Sequence, residues 1–287
     1  MKFAQRLLPI LALGLTALPA LAEPPTADGH TRDEETATIR QHHLKRLDDR
    51  LTQEAHVLRE HCRYESEIPV RPPAKQVVLT FDDGPEPGQT EQILETLKRH
   101  GIKGTFFVIG QKAQQHPELI AQIRATGGHL VANHSWDHPN FHDIPPARQA
   151  EEVLKSDELL AAGQSAAPGS KLFRYPYGNS SCDTNDLLRA RGYKIVGWHV
   201  DSCDWAFDRM GSVDNREALS CGVLPQNRQD FVEHVVASVR AHDGGIVLLH
   251  EIHPNTLKKL DDIITRLKAE GFSFAALDAP EFASALR

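Results

Sequence analysis

Several features are missing from this sequence of 287 residues. It has no excess of positive charge: 32 lysines and arginines face 39 aspartates and glutamates, a formal charge of −7 with histidines neutral. No basic field exists to draw phosphate backbones, which argues against nucleic acid as a partner. None of the four cysteines forms a CxxC pair, so thiolate zinc ribbons and fingers have no support. Beyond residue 22 there is no long apolar run, and no transmembrane span is expected after that point. No repeat or low-complexity tract is present, and a composition of 40% hydrophobic and 25% charged residues excludes wholesale disorder. The one unusual count is 16 histidines, which asks for metal chemistry or a compositional explanation.

Residues 1–22 carry Lys2 and Arg6, then an apolar run from Leu7 to Ala22 interrupted by Pro9 and Pro19, closing on Ala20-Leu21-Ala22. This is the pattern of a cleavable secretory signal peptide, and it predicts a periplasmic or secreted protein with no membrane anchor after cleavage. In that compartment Cys62, Cys182, Cys203 and Cys221 are compatible with two disulfides. Three pairings are open, and Cys203 with Cys221 would close a local loop.

Residues 23–74 form an amino-terminal extension of different texture, in which Leu44, Leu47, Leu51, Ala55 and Leu58 recur at three- and four-residue steps. The spacing predicts an amphipathic helix that packs on the main domain or binds a partner. From residue 75 to 287 short β-rich runs alternate with helical patterns, the signature of βα units. The runs fall at 76–81, 104–109, 129–133, 171–175, 194–199, 245–250 and 272–277, and helical patterns at 88–100, 117–126, 146–162, 184–191, 230–241 and 255–270. The fold class read from this is α/β, a barrel or incomplete barrel of about seven strands. The polar stretch 206–228 reads as a loop beside the site.

In such folds chemistry gathers at the carboxyl ends of the strands. The first run ends in Asp82-Asp83-Gly84-Pro85, where one carboxylate can bind a metal and its neighbour serve as a base, although Asp-Gly-Pro is also turn chemistry. The third is followed by His134-Ser135-Trp136-Asp137-His138, and histidines four apart on a helical turn present two imidazoles to one side. With so many histidines such a pair also arises by chance. Arg174-Tyr175-Pro176-Tyr177 follows the fourth run, Asp201-Ser202-Cys203-Asp204-Trp205 the fifth, and the sixth closes on Leu248-Leu249-His250. An arginine can fix a carboxylate, and a histidine at a barrel mouth can act as a general acid. Their order decides between these readings, because five polar clusters each follow a separate strand.

Together these five segments, in this order, resemble the polysaccharide deacetylase family, carbohydrate esterase family 4, which shares the NodB homology domain. The resemblance covers about residues 75–280 and implies a distorted βα barrel. It implies that Asp83, His134 and His138 bind a divalent metal, zinc foremost, with cobalt, nickel or manganese accepted by the same donors. It makes Asp82 the general base, Arg174 its orienting partner, and His250 the general acid tuned by Asp204. By the same similarity the Tyr177 N–H receives the oxyanion, and Trp205 and Leu248 line the pocket for the acetyl methyl. His142 and His253 match no ligand position and are expected at the surface or rim. The implied substrate is an acetylated glycan carrying N-acetylglucosamine: chitooligosaccharide, peptidoglycan or poly-N-acetylglucosamine. The motifs leave two alternatives open, an O-deacetylase such as an acetylxylan esterase and a catalytically silent glycan binder.

Overall fold

The computed structural model describes residues 68–161 and 171–287. The signal sequence and the helix expected over residues 44–58 lie outside the described residues. Eight strands form one sheet: β1 (Gln76–Gly84), β2 (Gly104–Val108), β3 (Leu130–Asn133), β4 (Lys171–Phe173), β5 (Tyr193–Ile195), β6 (Val200–Asp201), β7 (Gly244–His250) and β8 (Ser273–Phe274). Their order is β5-β4-β3-β2-β1-β7-β6, with β8 joined to β1, and the ladders are parallel. The end strands β5 and β6 share no ladder, so this is an incomplete βα barrel. The connecting helices are α1 (Thr90–His100), α2 (Gly110–Gln115), α3 (Pro117–Ala125), α4 (Pro146–Ala161), α5 (Cys182–Ala190), α6 (Asp204–Met210), α7 (Asn215–Cys221), α8 (Phe231–His242) and α9 (Pro254–Ala269).

β1 is central and buried on both faces, as a strand flanked by βα crossovers must be. Val77, Leu79 and Phe81 join one core with Leu97 of α1, Val235 of α8 and Ile263 of α9. Val78 points the other way, into an inner core with Phe107, Ala132, Val196, Ile246 and, from the chain's end, Phe282. Burial of each such aliphatic or aromatic side chain is worth about 1.5–3 kcal/mol. Alternation continues that inner face up the strand from Val78 through Thr80 to Asp82, so the hydrophobic interior gives way to polar groups at the carboxyl end. Ile68 and Val70 also pack on the inner core.

Two expectations are corrected. The run 194–199 is not one strand: only Lys194 and Ile195 belong to β5 and β6 begins at Val200, because beyond Ile195 the backbone turns to the chain terminus, where Ile195 and Arg287 exchange hydrogen bonds and Val196 bridges antiparallel to Leu286. The stretch 206–228 is largely helical rather than a loop, containing all of α7 and, from Ala206, most of α6. Asp214 and Glu217 form a capping box on α7, and Gly211 and Gly222 end α6 and α7 in left-handed conformation. The disulfide Cys203–Cys221 ties the start of α6 to the end of α7. Among the described residues no helix is long and apolar enough to cross a membrane.

Candidate active site

A straight strand would send Asp82 and Asp83 to opposite faces. β1 avoids this by a register shift against β2 between Asp82 and Gly84, with Asp83 at φ 72°, and such a bulge re-aims the extra side chain. Gly84 leaves room for Glu251, since a Cβ on it would lie 1.4 Å from Oε1 of that buried side chain, which would have to move. Asp82 is held from below by Arg174, which is fully buried. The Arg174 guanidinium donates to Asp82 Oδ1 and Thr80 Oγ1, both at 2.8 Å, and to the carbonyls of Gly197 (3.0 Å) and Val196 (3.3 Å). Its plane lies 4.1 Å from the centroid of the Phe107 ring. One oxygen of Asp82 is thereby fixed, while Oδ2 faces His134 Nε2 at 3.6 Å.

His134 and His138 do not sit on a helical turn, contrary to the expectation from their spacing. They lie in an irregular loop after β3 in which Ser135 (φ 69°) and His138 (φ 63°) are left-handed. The two bends, not a 3.6-residue period, converge the rings to 4.9 Å between centroids. His134 Nε2 is 3.5 Å and His138 Nε2 3.2 Å from Asp83 Oδ1, an oxygen that is buried without a hydrogen-bond partner. His134 Nδ1 sits 2.8 Å from the Arg174 carbonyl, so it is the protonated nitrogen and Nε2 keeps its lone pair. Burial, then the neighbouring His134, push His138 down to about 4, so its ring is uncharged at neutral pH. Burial alone would raise the Asp83 carboxyl, but the facing imidazoles of His134, His250 and His138 hold it well below the usual carboxylate range. Two imidazoles and an orphaned carboxylate oxygen converging on one point fit a divalent cation and leave positions open for other ligands.

Opposite this cluster, Asp82 and His250 are register partners on β1 and β7. His250 Nδ1 meets Oδ1 of the fully buried Asp204 at 2.7 Å, while Oδ2 accepts the His250 N–H (2.7 Å) and the Thr256 hydroxyl (2.6 Å). Burial favours neutral imidazole, but Asp204 foremost, with Asp83 and Asp82, overrides it and raises His250 to about 10. The ring is therefore a cation at neutral pH with Nε2–H free to point outward. Asp201, beneath, is pushed up to about 6 by burial. His253 is at the rim as expected, yet it is paired: Nδ1 lies 3.0 Å from Asp208, and its ring is 5.5 Å from that of His250. His142 faces the Ser180 carbonyl at 3.0 Å, away from the cluster.

Tyr177 is left-handed (φ 58°), with a side chain 66% exposed and a ring 4.8 Å from that of His138. Leu248 pairs with Thr80 and Asp201 in the ladders, on the same face of β7 as His250. The Trp205 N–H donates to Asp204 Oδ1, and its ring packs partly against the outer core. Thr80, the residue that opens the first motif, orients Arg174, and two residues outside the motifs complete the support: Thr256 orients Asp204 and Glu152 accepts from the histidine loop. The partners of Thr256 and Glu152 lie between 15 and 52 residues away, so local patterning cannot reveal them.

Three comparisons bear on this arrangement. Residues 69–196 match the family model described as polysaccharide deacetylase. The chain is 34% identical over 212 residues to the peptidoglycan-N-acetylglucosamine deacetylase PgdA of Listeria monocytogenes, covering 74% of this chain and 40% of that protein, so it spans less than half of that relative. A peptidoglycan-N-acetylglucosamine deacetylase of Bacillus cereus is 34% identical over 206 residues, covering 70% of this chain and 69% of its own length. The structure of Bacillus subtilis PdaA, a family 4 carbohydrate esterase, is similar with a TM-score of 0.58 at 28% identity, covering 75% of this chain and 84% of that one.

Proposed function

Because the chain belongs to the polysaccharide deacetylase family, we propose that it hydrolyses the acetamide of N-acetylated amino sugars in a glycan, with peptidoglycan first among its substrates. The observation that carries this reading is the juxtaposition, across one ladder, of a carboxylate held by Arg174 and an imidazolium held by Asp204. An amide needs both an activated water and a protonated leaving nitrogen, and these are a base and an acid on opposite sides of one site. The relatives named for peptidoglycan deacetylation support the substrate class.

Asp83, His134 and His138 would hold the cation, zinc by preference among the divalent metals such a donor set accepts. Once bound there, the ion supplies Lewis-acid polarisation of the acetyl carbonyl and an acidified water. Asp82, with Oδ1 immobilised by Arg174, takes the water proton on Oδ2 as the oxygen attacks the carbonyl carbon. The Tyr177 N–H donates to the developing oxyanion, since Pro176 has no N–H to give. His250 passes its Nε2 proton to the amine nitrogen as the C–N bond breaks, releasing acetate and leaving the free amino sugar. Leu248 and Trp205 enclose the acetyl methyl.

The signal-like residues 1–22 support a periplasmic or secreted location, where such a polymer lies. The test is acetate release by the purified protein from peptidoglycan, chitooligosaccharides and acetylxylan in parallel. Release from the N-acetylated polymers is expected. Release from acetylxylan alone would replace the reading by an O-deacetylase, and release from none, with glycan bound, by a silent binder.

A further inference from the structure

The loop that carries His134 and His138 has two left-handed residues and no regular ladder, so its backbone groups need partners from elsewhere. Most of them have one among the described residues. The Ser135 N–H donates to Asn133 Oδ1 at 2.9 Å, and the His138 N–H donates to Ser135 Oγ at 3.0 Å. The Ser135 carbonyl accepts from Ser156 Oγ and the Gly110 N–H, and the Trp136 carbonyl accepts from the Gln111 N–H. The two consecutive N–H groups between the histidines, those of Trp136 and Asp137, both donate to one oxygen, Oε2 of Glu152, at 2.8 and 2.9 Å.

Glu152 comes from the middle of α4, and its side chain is wholly buried. A buried carboxylate in a helix interior is costly unless charge and hydrogen bonds compensate it. Its other oxygen is 2.6 Å from Arg148 one turn earlier, and the same guanidinium reaches Asp137 Oδ2 at 2.7 Å. Glu152 thus plays the part an anion plays in a nest of successive backbone N–H groups, but supplied by the protein itself.

Resting on the metal reading above, we infer that Glu152 is the positioning residue of the metal centre: by gripping the Trp136 and Asp137 amides it sets the separation and aim of the His134 and His138 rings. It touches neither the cation nor the substrate. Without it the buried Trp136 N–H and the part-buried Asp137 N–H lose their acceptor, the loop relaxes toward other backbone conformations, and the two imidazoles no longer converge before the ion arrives. Outer-shell partners of metal ligands are generally worth about 10–100-fold in metal affinity.

The experiment measures Zn²⁺ affinity of the metal-free full-length protein by competition with a chromophoric chelator, with thermal melting recorded in parallel. Glu152→Ala is expected to weaken Zn²⁺ binding by about 10–100-fold. Glu152→Gln, of the same volume and retaining one acceptor oxygen, should fall between Ala and wild type and covers the case in which Glu152→Ala does not fold. Arg148→Ala leaves both amide contacts in place but removes the partner of the buried Glu152, so it should lower the melting temperature while weakening Zn²⁺ binding less than Glu152→Ala does. Unchanged affinity in a folded Glu152→Ala protein, or in Glu152→Gln if Ala does not fold, whatever its melting temperature, would overturn the inference, as would equal losses in Arg148→Ala and Glu152→Ala. Failure of the underlying reading shows differently: Zn²⁺ binding to the wild type would then survive His138→Ala.

Discussion

Replacing Asp204 by Asn tests how the acid of the site is made. Asp204 is fully buried and accepts from His250 Nδ1, the His250 N–H, the Trp205 N–H and the Thr256 hydroxyl, so the isosteric amide removes a charge from beside His250 with little change in shape. In the wild type His250 stands at about 10 against an ordinary 6.5, and it is protonated throughout the neutral range. Without the carboxylate, burial acts with far less opposition, and the imidazole should titrate at or below about 6.5. At pH 8 the protonated fraction then falls from nearly all to about 3%, a loss of roughly 30-fold from titration alone. Misorientation of the ring adds to it, toward the 10²–10⁴-fold range typical of a lost general acid. The sign is definite: an acid must be protonated, so the alkaline limb of kcat/KM moves down by roughly three pH units while the acidic limb stays. The assay is initial-rate acetate release from a soluble N-acetylated oligosaccharide between pH 5.5 and 10, well below the melting temperature. The amide must also turn its NH₂ toward a donor, at a stability cost of about 1–3 kcal/mol. An unmoved alkaline limb, whatever the drop in rate, would refute the assignment of His250 as an acid tuned by Asp204.

Two further outcomes follow from the same geometry. Arg174→Lys keeps the charge but cannot reach Thr80, Asp82, Val196 and Gly197 at once, so kcat should fall at least about tenfold with KM within about threefold, a split visible in steady-state kinetics. Glu251 is raised by burial to about 8 in the fold from 4.5. The folded state therefore holds this proton longer than the unfolded one, and its contribution to stability declines as pH rises from about 4.5 through 8. Glu251→Gln, which can still accept the Thr90 hydroxyl, should flatten the fall in melting temperature of the metal-free protein between pH 6.5 and 9, a window chosen above the 6 to which Asp201 is raised; an identical slope in both proteins would contradict this.

Much of the fold and the site could be read from the sequence because the two share a cause. Strand ends in a βα fold are buried on one side and open on the other, so a run such as Val77–Phe81 followed by paired aspartates shows both a strand and a mouth. What stayed hidden has a physical reason in each case. His134 and His138 have helical spacing, but Ser135 hydrogen-bonds back to the His138 N–H and Glu152 takes the amides between, so local side chains outcompete a helix. The run 194–199 breaks where the chain terminus pairs with it, a contact some 90 residues away in sequence that no local window contains. The helices α6 and α7 are short, yet Asp214 and Glu217 carry a capping box that was there to be read. Glu152 and Thr256 look like ordinary helix residues, and only the fold brings each to its partner.

The central claim is that two adjacent aspartates divide the labour, Asp83 holding the cation and Asp82 moving the proton. Its most direct measurement is the metal content and turnover of Asp82→Asn after loading with zinc. The expected result is that variant and wild type alike retain one zinc per chain, while the variant releases no acetate from a substrate the wild type cleaves. Loss of the metal with the activity, or turnover at near wild-type rate, would contradict it.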